Sequence, residues 1–159
     1  MEARLNMFAN PQAMTFIKRF NGAAAAMQGS GLPEATQELV KLRASQINGC
    51  GMCTDMHYKD AVAAGEDPQR LNLVAAWREA TVFTEAERAA LELTEEATRI
   101  ADAAGGVSDE VWANAAKHYD DDQLAALVVV IAVINAYNRL NVVLQVPAGS
   151  YQPGQFAQV

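Results

Sequence analysis

The chain has 159 residues, 51% of them hydrophobic and 19% charged, with a formal net charge of −7 and a pI near 4.7. That length and composition fit one globular domain with a core large enough to need no disulfide for folding. The acidic balance, with no basic patch to reverse it, argues against a nucleic-acid partner, because it repels phosphate backbones.

The predicted elements are all helices, marked off by Pro, Gly, Asn and Asp at regular breaks. Asn10-Pro11 opens a first helix that ends near Met27, before Gly29 and Gly31. Pro33 opens a second, running to about Ile47 and the Asn48-Gly49 turn. A third starts near Cys50 and stops at Gly65. Asp67-Pro68 opens a fourth, to about Glu79, and Thr84 with Glu87 forms a capping box for a fifth. Ser108 caps a sixth, to about Tyr119. Residues 120–122 begin the last and longest helix, which Pro147 stops. The expected fold class is all-α, a single compact array of about seven helices over residues 1–159, with its core at about 10–146. The tail 147–159 is expected to be loosely ordered.

The stretch 124–134 is apolar on nearly every face, as in a core helix or an oligomer contact. A buried strand at 128–133 is the competing assignment, opposed by Asn135, Asn138 and Asn141 at helical spacing. About 11 residues of apolar sequence fall short of the ~20 that span a bilayer, and no basic start precedes an apolar run. The expectation is a cytoplasmic protein with no membrane partner.

The chain has two cysteines, and they sit three residues apart. Such a pair in a reducing compartment points to redox or metal chemistry rather than a disulfide scaffold. On a helix advancing about 100° per residue, Cys53 lies about 60° and His57 about 20° from Cys50, so the three share a face. Cysteines at this spacing alternate between dithiol and disulfide with little backbone motion. A position in the first helical turn favours a thiolate. An imidazole four residues after Cys53 is placed to take its proton or to stabilise its charge. The helix start favours Cys50 as the low-pKa thiol, whereas the neighbouring His57 favours Cys53. Spacing alone does not single out Glu38. It reaches the Cys–His face if the second and third helices pack as a hairpin about Asn48-Gly49, and it then orients His57 or accepts a proton through water.

Other assignments compete with the redox one. Two buried thiols can pack as small hydrophobes. Two thiolates and an imidazole can hold zinc, with His118 or a carboxylate completing the set, although no second cysteine pair is present. A thioredoxin fold is rejected because it needs a strand before its C-x-x-C helix. Trp77, Trp112, Phe16 and Phe20 are expected in the core. His118 is expected near a helix C-terminus, and Asn135 and Asn138 either bond across an interface or face solvent.

The run Glu38, eleven residues, Cys50-x-x-Cys53-x-x-x-His57 resembles the signature of the alkylhydroperoxidase AhpD-like, or carboxymuconolactone decarboxylase-like, family. Residues 42–50 before the motif, Ala75-Ala-Trp-Arg-Glu79 after it and the segment Ile134 to Asn141 resemble it too. The resemblance spans roughly residues 10–146. It implies an all-α fold, usually assembled as a trimer or hexamer, and hydroperoxide reduction through the cysteine pair. It also implies that Cys53 is the peroxidatic cysteine, that Cys50 resolves it, and that Glu38 and His57 form the proton relay. The implied partners are a hydroperoxide substrate and an external thiol reductant, a dithiol or a thioredoxin-like protein. No cofactor is called for, since the chain has neither a Gly-rich dinucleotide fingerprint nor a reductase domain. One departure is Met52, where the best-studied alkylhydroperoxidases of the family carry a histidine, because a thioether relays no proton. The decarboxylase branch does not rely on the cysteine pair, which keeps a nonredox enzyme acting on a small lactone as the alternative.

Overall fold

The computed structural model describes residues 2–156. Its helices are α1 (Pro11–Ala25), α2 (Glu34–Ile47), α3 (Gly51–Ala63), α4 (Pro68–Leu73), α5 (Glu85–Thr98), α6 (Asp109–Ala115) and α7 (Asp121–Leu144), with no strand among the described residues. Short 3₁₀ turns at Met7–Ala9 and Val74–Ala76 complete the set. The start signals act through side-chain oxygens on otherwise orphaned N–H groups. Asn10 accepts from Gln12 and Ala13, Asp67 from Gln69, and Ser108 from Val111. Thr84–Glu87 and Asp120–Gln123 are complete capping boxes. α7 stops where Gln145 turns left-handed at φ 54°.

Three helices end earlier than the sequence suggests. α1 ends at Ala25 and gives way to turns. α4 ends at Leu73 and passes through the 3₁₀ turn toward Trp77, whose indole is drawn to Glu95 (3.0 Å). α6 ends at Ala115, and the chain turns so that the buried Tyr119 donates its hydroxyl proton to the Ala86 carbonyl. The segment 128–133 is helical, as its asparagine spacing indicates.

α2 lies at the centre, packed against α3, α5 and α7. Val40 and Ala90 join the α6–α7 side in one apolar cluster, while Leu39, Leu42, Leu71, Trp77 and Leu91 form another. Glu95 ties three segments together. Its carboxylate accepts from Arg43 on α2, from Trp77 and Arg78 in the α4–α5 connection, and from Arg99 just past α5. Burial pushes its pKa up, but the hydrogen bonds from Arg78, Trp77 and Arg43 prevail and hold it at about 2.

Two aromatic expectations are corrected. Trp77 is buried, whereas Phe16 and Trp112 are 49% and 44% exposed. Phe16 stacks on Phe20, which meets Tyr137 of α7. At 24 residues α7 as a whole is long and apolar enough to cross a membrane by length and composition alone. Its buried Asn135 and Asn138 bond within the bundle, so one face of α7 packs in the core, while Val128, Val142 and Val143 are exposed.

The tail differs most from expectation. Residues 157–159 lie outside the described residues, but 147–156 pack against α3. Tyr151 is 3% exposed and donates to Asp60 (2.9 Å). Lys59 donates to the Gly149 and Tyr151 carbonyls, and Asp55 accepts from the Gly149 N–H. A Gly/Pro/Gln composition suggests disorder, yet it conceals one aromatic anchor and three charged partners supplied by α3.

Candidate active site

The turn at Asn48-Gly49 reverses the chain between α2 and α3, and Gly49 takes φ 66°, a conformation that favours glycine. The hairpin brings Glu38 across to His57. The imidazole Nδ1 lies 2.9 Å from Glu38 Oε2, and Lys41 Nζ holds the other carboxylate oxygen at 2.7 Å. Burial acts to raise the Glu38 pKa, but the bond to His57 and the charge of Lys41 outweigh it and bring the carboxyl down to about 2. An ionised Glu38 accepts only, so Nδ1 carries the proton. The lone pair of the neutral ring is then on Nε2.

Cys50 and Cys53 are joined as a disulfide with Cα atoms 5.4 Å apart. Cys50 does not sit in the first helical turn. It is the N-cap of α3, with extended backbone, and its sulfur accepts from the Cys53 N–H at 3.3 Å. Cys53 stands within the first turn, and its sulfur accepts from Asn141 Nδ2 of α7 at 3.2 Å. Both cysteines are buried, at 1% and 0% exposure, in a cluster with Ala44, Met52, Ile134 and Tyr151. Met52 belongs to this cluster and Met56 packs against it. His57 follows one turn after Cys53, with its other ring nitrogen, Nδ1, committed to Glu38.

All four sequence-derived residues therefore fall in one region. His118 does not join them. It lies in the turn after α6, and among the described residues no three His, Cys, Asp or Glu side chains are grouped to hold a metal ion. Sequence reasoning missed Lys41, Asn48 and Asn141. Asn48 Nδ2 donates to Asn135 (2.9 Å) and Asn138 (2.8 Å), and Asn138 donates to Ser45. Asn135, Asn138 and Asn141 thus form a ladder across a helix interface rather than a solvated face. Their spacing of three was the visible signal; their partners on α2 and α3 were not.

A cavity of about 1690 Å³ opens beside this region. Glu38, His57 and Asn141 line one part, and Ile17, Val133 and Leu140 contribute to its predominantly apolar remainder. On another side of the motif, Gly49, Gly51, Thr54 and Asp55 line a smaller groove of about 630 Å³.

Residues 11–96 match the model of the carboxymuconolactone decarboxylase family. The uncharacterized protein YdfG of Bacillus subtilis is 41% identical over 115 residues, covering 72% of this chain and 77% of YdfG. A crystal structure from Agrobacterium tumefaciens, ATU0492, is of a protein of unknown function proposed to be an antioxidant defence protein, AhpD. It superposes with a TM-score of 0.84 at 34% identity, covering 94% of this chain and all of that one. A peroxidase-related protein from Ralstonia eutropha, described as an alkylhydroperoxidase AhpD core, shares the fold with a TM-score of 0.73. It is 18% identical, covering 89% of this chain and 73% of that one. The helical array and its sequence matches agree, and the chain belongs to the carboxymuconolactone decarboxylase family, in its AhpD-like form.

Proposed function

We propose that the protein is a thiol-dependent peroxidase that reduces organic hydroperoxides through a Cys50/Cys53 dithiol–disulfide cycle. The observation that carries this is the cysteine pair itself, at bonding distance and one helical turn before a Glu38–His57 pair that opens on an apolar cavity. The antioxidant-defence role proposed for ATU0492, itself a protein of unknown function, agrees with it.

In the first step the Cys53 thiolate attacks the terminal oxygen of ROOH, the O–O bond breaks, and the leaving alkoxide takes a proton to become ROH. Cys53 is left as a sulfenic acid. His57, held through Nδ1 by Glu38, removes the Cys53 thiol proton beforehand and delivers it to the alkoxide. The Cys50 thiol then attacks the sulfenic sulfur, forming the disulfide and releasing water. Two equivalents of an external thiol, or one dithiol, return the pair to its reduced form and leave as a disulfide. With Met52 between the cysteines, this relay runs through His57 and Glu38 alone. The apolar cavity suits an alkyl or aryl hydroperoxide over hydrogen peroxide.

As part of the same proposal the protein works in the reducing cytoplasm as a homo-oligomer, a trimer or hexamer. The exposed apolar side chains Phe16, Val128, Val142 and Val143 support assembly, and light scattering would measure the subunit number.

The deciding experiment counts free thiols in the reduced protein before and after one equivalent of cumene hydroperoxide, with residual peroxide assayed in parallel. Loss of both thiols with matching peroxide consumption is expected. Survival of both thiols with peroxide intact would turn attention to lactone substrates.

A further inference from the structure

Two effects compete over which sulfur is the stronger nucleophile. The start of α3 donates a backbone N–H to Cys50, which lies ahead of the helix as its N-cap. Both sulfurs are buried to the same degree, so burial, which disfavours either thiolate, does not separate them. On these grounds alone Cys50 should ionise first. Cys53, however, receives a donor that Cys50 does not, the Asn141 side-chain amide at 3.2 Å.

We propose that Asn141 stabilises the Cys53 thiolate and thereby selects Cys53 over Cys50 as the attacking sulfur. A thiolate accepts a hydrogen bond more strongly than a thiol, so a fixed N–H beside the sulfur favours the charged form. An amide does not titrate, so the donor is present at every working pH. It is also held in place. One helical turn earlier, Asn138 accepts from Asn48 and donates to Ser45, and Asn135 accepts from the same Asn48 amide. These bonds fix the register of α7 against α2 and the turn that leads into Cys50, so Asn141 arrives at Cys53 without the freedom of a surface side chain. The choice of Cys53 rests on the peroxidase proposal, but the state of its thiol does not.

The test uses reduced protein without peroxide. The Cys50→Ser protein isolates the Cys53 thiol, whose titration is followed by thiolate absorbance near 240 nm. Removing the donor in Asn141→Ala, or in the similarly sized Asn141→Leu, is expected to raise the Cys53 pKa by about one unit, a tenfold loss of thiolate at a pH below it. An altered melting temperature with an unmoved pKa would show Asn141 to be only a packing residue and would overturn the proposal. The unmutated protein provides a measurement that needs no variant: limiting iodoacetamide, mapped by mass spectrometry, is expected to label Cys53 before Cys50. Preferential labelling of Cys50 would also overturn it. If the pKa moves as expected while peroxide oxidises neither cysteine, the peroxidase proposal fails and the stabilisation of the Cys53 thiolate by Asn141 stands; oxidation of Cys50 in place of Cys53 would overturn the selection.

Discussion

Glu38 Oε2 and His57 Nδ1 lie 2.9 Å apart across the α2–α3 hairpin, joining residues 19 positions apart in the chain. Lys41 holds the second carboxylate oxygen, so Glu38 is anchored while it orients the imidazole. In Glu38→Gln the amide is nearly isosteric but carries no charge to support an imidazolium. Oxidation of the reduced pair should slow by roughly 10²-fold, at the low end of the range for general acid–base groups. Stopped-flow thiol oxidation checks this, with circular dichroism confirming the fold. An unchanged rate would remove Glu38 from the relay.

The two cysteines should fail differently. Cys53→Ser removes the attacking sulfur and should abolish peroxide consumption. Cys50→Ser leaves the first step intact but removes the resolving thiol, so a sulfenic acid should persist on Cys53 and be captured by a dimedone-type probe. If Cys50→Ser alone prevents the first oxidation, the roles are reversed.

Acid should loosen the fold through two carboxylates. Glu38 and Glu95 are both held at about 2, against an ordinary value of 4.5. A carboxylate whose pKa is lower in the folded state contributes its full stability above the unfolded-state value and loses it as pH falls toward the folded one. Stability should therefore decline between about pH 4.5 and 2, as followed by denaturant titration at a series of pH values. Glu95→Ala leaves Arg43 and Trp77 without their acceptor and should cost about 3–5 kcal/mol at neutral pH, as for a buried ion pair that loses one partner, while the half-exposed Arg78 turns to solvent. The variant should also show a shallower acid decline. A loss near zero would mean that water replaces the carboxylate at no cost.

Much of this architecture is legible in the sequence because its signals are local. A capping box such as Thr84–Glu87 and a Pro at N1 such as Pro11 or Pro68 act within one helical turn, so these helix starts are marked by the residues that make them. The Cys50, Cys53 and His57 pattern is local in the same way. Glu38 needed the family pattern because its partner lies across a turn. Asn141 was harder still, since its partner Cys53 is 88 positions away and no periodicity encodes that contact. The early ends of α4 and α6 have the same origin, because Trp77 and Tyr119 leave the helix to reach Glu95 and Ala86.

The packed tail bears on how the disulfide is reduced. With Cys50 and Cys53 only 1% and 0% exposed, an incoming thiol has no direct line to either sulfur. Thiol–disulfide exchange needs that line, so some element must move. Tyr151 and Phe156 belong to or pack on the cysteine cluster, and Ala148 lies so close to Gly51 that a Cβ added there would meet its methyl at 3.3 Å. A few polar bonds hold this segment, chiefly Tyr151 to Asp60 and Lys59 to the Gly149 and Tyr151 carbonyls. Such a segment opens at lower free energy than the helical core. Tyr151→Ala removes its one buried anchor while leaving the helices intact, and the disulfide should then be reduced by dithiothreitol several-fold faster, at a rate less dependent on temperature. If the rate matches that of the unmutated protein, the reductant enters by another path, and the groove at Gly49, Gly51 and Thr54 becomes the place to block next.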